Sequence, residues 1–448
     1  MAALNLRQGL NTRGGTLAAL QVLQVGTGLL GQFLLLARWS PDAQTDLFLL
    51  VSGVPWLVSA AVLVTGLEMA LPAAYHRARA ASGDPGVRQL LVQVTVLSFL
   101  TSAAAALVSG VVVALWAQRS DLTPGLSLWM GLALGAQVSP ATLGGLWRGA
   151  LVAEDRLIRA RITLLAGSVL TTCGYALLPG PPAAALPLTA AGAVVLSAVL
   201  AGWFYRDLLS PIQGGSQTRP YKKSFRTFVN PAAYLHRYEL HPQLLPLVRA
   251  LLALSAAAGL VHIQAIIERV MVLPLGTGTV TALAVAGRGW DAVLAVIVAA
   301  AVLPVYPRWA DDHAHGAGDR VRVLLRWSLR RAVVLSLLAA LGIGLVAWFL
   351  GPRLESDLGW ESGSDAAALA LVLLPRFVLV SSVQPLVLKH YATGTPWVPV
   401  IGSALGVIVL TIGALALVPR YELPGVTLTT AASAIPGWLV LVWVEWAR

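Results

Sequence analysis

The chain has 448 residues, of which 57% are hydrophobic and 11% charged, and its formal net charge is +11. Soluble domains average about 25% charged residues, so this composition, with a mean hydropathy of +0.76, excludes a water-soluble globular protein. The single cysteine, Cys173, lies in an apolar run and excludes an intrachain disulfide or a CxxC metal site.

Apolar runs long enough to cross a bilayer, about 20 residues, recur along the chain. In order they cover 15–38, 46–75, 89–117, 125–147, 160–178, 183–205, 248–272, 279–304, 328–351, 366–388, 397–419 and 424–445. The first lacks an A-x-A cleavage site and reads as a span, not a signal peptide. The sequence thus predicts an all-α integral membrane protein of about twelve transmembrane helices. Its organisation is expected to be a six-span half over 1–206, a basic linker over 207–243, and a second six-span half over 244–448.

Charge placement supports this count. Of 31 Lys and Arg residues, Arg38, Arg119, Arg353 and Arg420 fall in outer loops, and Arg269, Arg288 and Arg376 fall in spans. The other 24 fall on one side, which the positive-inside rule assigns to the cytoplasm together with both termini. The basic balance is then a topology signal, and no nucleic-acid partner is expected. Trp39, Trp116, Trp203, Trp348, Trp397 and Trp446 lie near span ends, as interfacial anchors do.

The two halves carry a weak internal repeat. "TDLFLLVSGVPWLVSAAVLVTGLEMALPAAYHRA" and "GTVTALAVAGRGWDAVLAVIVAAAVLPVYPRWA" share a polar entry, G-x-x-W, and then L-P with an aromatic and an Arg. The segments ending at Pro179 and Pro419 form a second pair, in which Arg148 matches Lys389. Both offsets put spans 1–6 against spans 7–12 in one orientation. Parallel repeats of this kind place a substrate site between the halves, near the midplane, and work by rocking. Two pseudo-symmetric halves around a central cavity are therefore expected. Pro55, Gly66, Pro72, Pro140, Pro304, Pro375 and Pro385 fit bent spans.

Charged residues inside spans are the candidates for function. Arg288 in span 8 and Arg376 in span 10 lie roughly 15 Å deep at about 1.5 Å per residue. Each would cost about 2.5–3.5 kcal/mol against lipid, so each needs a partner or a wet cavity. Asp291, three residues after Arg288, can pair with it on one helix face. Arg376 has only apolar neighbours at i±3 and i±4, so its partner must come from another helix, water or ligand. Glu268 and Arg269, adjacent near the outer end of span 7, point in different directions. Glu68, near the inner end of span 2, is read as interfacial. The candidate substrate-binding set is Arg288, Arg376, Arg269, Asp291 and Glu268. A basic interior suits an anionic substrate, because guanidinium groups bind phosphate bidentately. The His- and Asp-rich stretch 311–319 reads as a solvated loop, and His262 as a packed histidine. No Walker-type phosphate loop and no catalytic constellation is present, so neither ATP hydrolysis nor enzyme activity is expected.

At these residues the sequence resembles a known family. "IQAIIERVMVLPLGTGTVTALAVAGRGWD" is similar to the span 7–8 region of the MurJ (MviN) lipid II flippases, of the multidrug/oligosaccharidyl-lipid/polysaccharide exporter superfamily. The similar features are Glu268–Arg269, Gly278 to Thr281, and Arg288. "ARWSPDAQTDLFLLVSGVP" resembles the family's first outer loop, with Thr45 and Asp46, and "VLKHYATGTPWVP" resembles the segment after span 10. The resemblance implies a flippase for a polyprenyl-pyrophosphate-linked glycan in a bacterial plasma membrane. It implies no cofactor, coupling to membrane potential or a Na+ or H+ gradient, and an anionic lipid-linked partner in the bilayer. A monomer is expected. The chain departs from the family in spans 1 and 2, where basic residues are missing, and in ending after twelve spans, as polysaccharide-repeat flippases do. An ion-coupled small-molecule exporter of the same superfamily is the alternative, with Glu268 or Asp291 as coupling acid. A non-transporting partner of cell-envelope enzymes, with its charges internally paired, comes third, ahead of a membrane-embedded transferase.

Overall fold

Helix follows apolar run throughout the computed structural model, which describes residues 2–39, 43–61, 66–119, 122–209, 240–272, 275, 279–356 and 363–446. The first half holds α1 (Ala2–Trp39), α2 (Ala43–Val51), α3 (Val54–Ala61), α4 (Leu67–Ala117), α5 (Pro124–Ala136), α6 (Val138–Ala153), α7 (Leu157–Leu177) and α8 (Pro182–Leu209). The second holds α9 (Leu244–Val272), α10 (Thr279–Ala301), α11 (Tyr306–Ala314), α12 (Gly318–Ser356), α13 (Gly363–Val372), α14 (Leu374–Ala392), α15 (Trp397–Ala432) and α16 (Ala434–Trp446). No strand occurs among the described residues. The protein is a multi-pass, all-helical membrane protein. Seven helices are long and apolar enough to cross a bilayer among the described residues, or eight with the bent α10–α11 pair. The basic linker lies mostly outside the described residues, as do the connections at 40–42 and 357–362.

Several predicted spans are interrupted or merged. The helix α4 has 51 residues, about 75 Å at 1.5 Å per residue, more than one crossing requires. Gly83, at φ 64° and ψ −162°, breaks it where span 2 turns back into span 3. A positive φ with extended ψ is a conformation that glycine alone adopts without strain. Span 4 breaks between α5 and α6 at Gln137, and span 10 between α13 and α14 at Leu373. The second break is followed by Pro375, which has no N–H to give to the helix ladder. Span 8 bends by 49° into α11 across residues 302–305, which include Pro304. Its repeat counterpart, Pro72, sits inside α4 with no such break.

Packing within each half is close. In the first, α1 lies on α7, α4 on α5 and α6, and α8 on α7 and α6. In the second, α9 lies on α15, α12 on α13 and α14, and α16 on α14 and α15. Between them, span 1 meets span 8 (α1 with α10) and span 2 meets span 7 (α3 with α9). Large apolar side chains remain exposed along the outer faces, among them Leu107, Leu177, Leu338 and Leu415. They form the surface that lipid covers, where backbone groups must be satisfied within the helices. Trp203, Trp348 and Trp446 are also exposed, at span ends.

Loops assigned to one side by charge lie together. Arg77 donates to Gln243 at 3.1 Å, and the His76 ring faces the Asp311 carboxylate at 3.6 Å. On the opposite side, Arg38 donates to the Tyr175 carbonyl at 3.0 Å and Trp39 to that of Gly180 at 3.3 Å.

Candidate functional site

Glu268 sits one turn from the end of α9 and Arg376 at the third position of α14. Their side chains meet at 3.2 Å, Nη1 of the arginine donating to Oε1 of the carboxylate. The pair is largely withdrawn from the surface, with 12% of the Glu268 side chain and 28% of the Arg376 side chain exposed. The cation that had no partner on its own helix takes one from span 7. Stripping both charges of water is repaid only when the pair and its hydrogen bonds are intact.

Arg269 turns the other way, as adjacent helical residues must. Its Nη1 donates to the Leu49 carbonyl at 2.8 Å. That carbonyl belongs to the last turn of α2, where span 2 breaks at Ser52 and Gly53. A helix end leaves carbonyls without an intrahelical backbone donor, and that of Leu49 accepts both from the Ser52 hydroxyl at 2.9 Å and, from the opposite half, from Arg269. Neighbouring residues of α9 thus hold a buried ion pair within the second half and a hydrogen bond to the first.

Span 8 is fixed beside this site by Trp290. Its indole donates to the Ala370 carbonyl at 3.2 Å, just before the break in span 10, and its ring lies 4.4 Å from that of Phe377. Trp290 is buried, unlike the interfacial tryptophans. Asp291 is exposed and close enough to Glu268 to act on it electrostatically. The Arg288 backbone lies in α10, but its side chain is outside the described residues, and so is the expected Arg288–Asp291 pair.

A second set of charges was not singled out as a site in the sequence. Arg148 Nε donates to Glu68 Oε2 at 2.9 Å, joining α6 to α4, and Nη1 reaches Ser197 Oγ of α8 at 3.4 Å. Glu68 is therefore an internal partner, not merely an interfacial carboxylate. Arg161 of α7 donates to Gln21 of α1 at 3.3 Å and acts on the same carboxylate. In the second half Lys389, the residue matched to Arg148 by the repeat, contacts Glu445 at 2.6 Å.

The halves are sealed together on the side that charge placement assigns as inner. Leu17, Ala73, Leu151, Leu157 and Ala160 of the first half share one apolar core with Val302, Leu303, Tyr306 and Trp309 of the second. The Tyr306 hydroxyl donates to the Met69 carbonyl across this contact. Burial holds the His76 imidazole below its ordinary range, against the pull of Asp311.

Comparison with solved structures places this arrangement. A MATE protein crystallised in complex with MaL6 aligns with a TM-score of 0.75 at 15% identity, over 98% of this chain and 96% of that one. The chain has the MATE transporter fold. A mutant of the Vibrio cholerae MATE transporter aligns at 0.66 and 16% identity, covering 97% and 98% of the two chains. A Pyrococcus furiosus transporter of the MOP superfamily, described as having a binding pocket of reverse polarity that suggests a different function, aligns at 0.73 and 14%, covering 98% and 96%. No family model and no curated protein matches. The fold is thus that of solved MATE and MOP-superfamily transporters, the superfamily named by the sequence resemblance, and these structures do not single out the MurJ branch.

Proposed function

We propose that the protein is an alternating-access membrane transporter, driven by a proton or sodium gradient, that exports a small molecule. The observation that carries this reading is the buried Glu268–Arg376 pair, placed one residue from the Arg269 contact between the halves. The pair has two chemically distinct states. With Glu268 ionised, Arg376 is held and its charge is spent. A proton or a sodium ion on the carboxylate releases Arg376, which is then free to hold an anionic group of a substrate. Because Arg269 follows Glu268 on the same helix, movement of that turn reaches the Leu49 carbonyl of the other half directly. One cation therefore can be exchanged for one substrate as the halves reorient. The proposal includes a plasma-membrane location, both termini in the cytoplasm, and a monomer.

The test is transport by the purified protein in proteoliposomes under an imposed pH or sodium gradient. Carboxyfluorescein serves as an anionic probe and ethidium as a cationic one. The wild type is expected to move a probe only with a gradient, and Glu268→Gln to lose at least tenfold of that gradient-driven rate. Equal gradient-driven rates for the two proteins would sink the assignment of Glu268.

A second reading is supported by a specific observation. Three arginines, Arg269, Arg288 and Arg376, lie in spans 7, 8 and 10, and a transporter of the same fold is described as having reversed pocket polarity. This favours an anionic lipid-linked glycan, such as lipid II, as cargo. Restored growth of a bacterium depleted of its lipid II flippase, lost with Arg288→Ala, would select that reading.

A further inference from the structure

We propose that the first half holds an oxyanion-binding site, formed by Arg148 and Arg161 with Gln21, that receives a phosphate-bearing group. The proposal rests on the transporter reading only for the site's use, because binding can be measured without transport.

The argument starts from charge. Arg148 and Arg161 act on one carboxylate, Glu68, and repel each other. Arg148 makes the direct ion pair at 2.9 Å. Arg161 has no carboxylate within ion-pair distance among the described residues, and its polar contact is the neutral Gln21 amide at 3.3 Å. Among the described residues the cluster thus carries one more positive charge than negative, and Arg161 is partly buried. Gln21 is 3% exposed and Ser197 is 7% exposed. Near a span end water relieves part of the cost of a cation among helices, and a compensating anion offsets the rest.

Position supplies the second argument. Four helices each give an apolar residue to the inner seal between the halves and a polar one close by. On α1 these are Leu17 and Gln21, on α6 Leu151 and Arg148, on α7 Leu157 and Arg161, and on α4 Met69 and Glu68. The chain direction of each helix puts the polar residue on the membrane side of the seal. The cluster therefore lies on the membrane side of the Tyr306–Met69 contact between the halves.

Chemistry then selects the ligand. Two guanidinium groups near enough to repel each other offer flat donor forks that match phosphate oxygens, and the Gln21 amide adds a donor through its nitrogen. One phosphate group can replace the amide oxygen as the partner of Arg161 while Glu68 continues to hold Arg148. The same chemistry occurs in a soluble phosphorylated molecule and in a lipid headgroup.

The experiment is calorimetric titration of the full chain with inorganic pyrophosphate, first in detergent and then in phosphatidylcholine nanodiscs with or without phosphatidic acid. The wild type is expected to bind with one site. Arg161→Gln, which orphans no carboxylate, is expected to weaken binding at least tenfold, and Arg161→Lys to recover part of the loss. Arg330→Gln, a change at an exposed arginine outside the cluster, should titrate like the wild type. Loss of pyrophosphate binding when phosphatidic acid is present would identify a lipid phosphate as the occupant, and retention a soluble one. Absence of binding by the wild type in both settings, or equal affinity in Arg161→Gln and wild type with unchanged melting, would overturn the proposal.

Discussion

Arg376→Ala is expected to destabilise the protein by about 3–5 kcal/mol, the range for removing one partner of a buried ion pair. The reason is the carboxylate left behind. Glu268 has 12% of its side chain exposed and sits against Arg376 at 3.2 Å. Without the guanidinium it must either remain charged in an apolar bundle or take up a proton. Equilibrium unfolding in mixed detergent micelles measures the loss. Glu268→Gln/Arg376→Ala removes both charges and should recover most of it, so the cycle gives a coupling energy of about 2 kcal/mol or more, well beyond the exposed-pair range. Additive single effects would mean that the two side chains do not sense each other in the membrane.

The second large effect is steric. Gly135→Val is expected to cost about 3 kcal/mol, at the upper end of overpacking penalties. A Cβ on Gly135 would stand 2.6 Å from the Ala106 carbonyl oxygen and 3.0 Å from the Gly110 Cα. Both are backbone atoms of α4, which cannot rotate away. Small residues let membrane helices approach closely, and here they bring span 3 against span 4. Gly125→Ala, on the same helix but with open space around its Cβ position, should change stability by less than about 0.5 kcal/mol. Thermal unfolding of both variants in detergent separates a packing effect from a general intolerance of glycine replacement.

The helical architecture was legible in the sequence because hydropathy reports it directly. A run of apolar residues must satisfy its own backbone in lipid, and only a helix does so within one segment. The breaks were less legible. Pro55, Pro140 and Pro375 each follow an interruption by two or three residues, at Ser52–Gly53, Gln137 and Leu373, but Pro72 and Pro385 lie inside continuous helices, so proline alone does not say which span breaks. Arg376 announced by its apolar neighbours that its partner lay on another helix. Glu268 supplied it, which no spacing rule connects across 108 residues. Arg148 and Arg161 were hidden for a different reason. An arginine near an inner span end is also the ordinary topology signal, so its residue type does not say whether it points at water or into the bundle. Trp290 did carry a usable sign. It stands in mid-span within the G-x-x-W repeat, away from the interfacial belts, and the structure buries it against Phe377.

In the proposed mechanism the two halves reorient about the contacts made by Glu268, Arg269 and the inner seal. Electron–electron spin distance measurement tests it most directly. Spin labels at Ala80→Cys and Asp319→Cys, in a Cys173→Ser background, would sit on exposed sites that flank the inner seal from opposite halves. In proteoliposomes the account predicts two distance populations whose ratio changes with pH or sodium, with Glu268→Gln held in one of them. A single distance, unchanged across pH, sodium and the Glu268→Gln variant in folded protein, would contradict it.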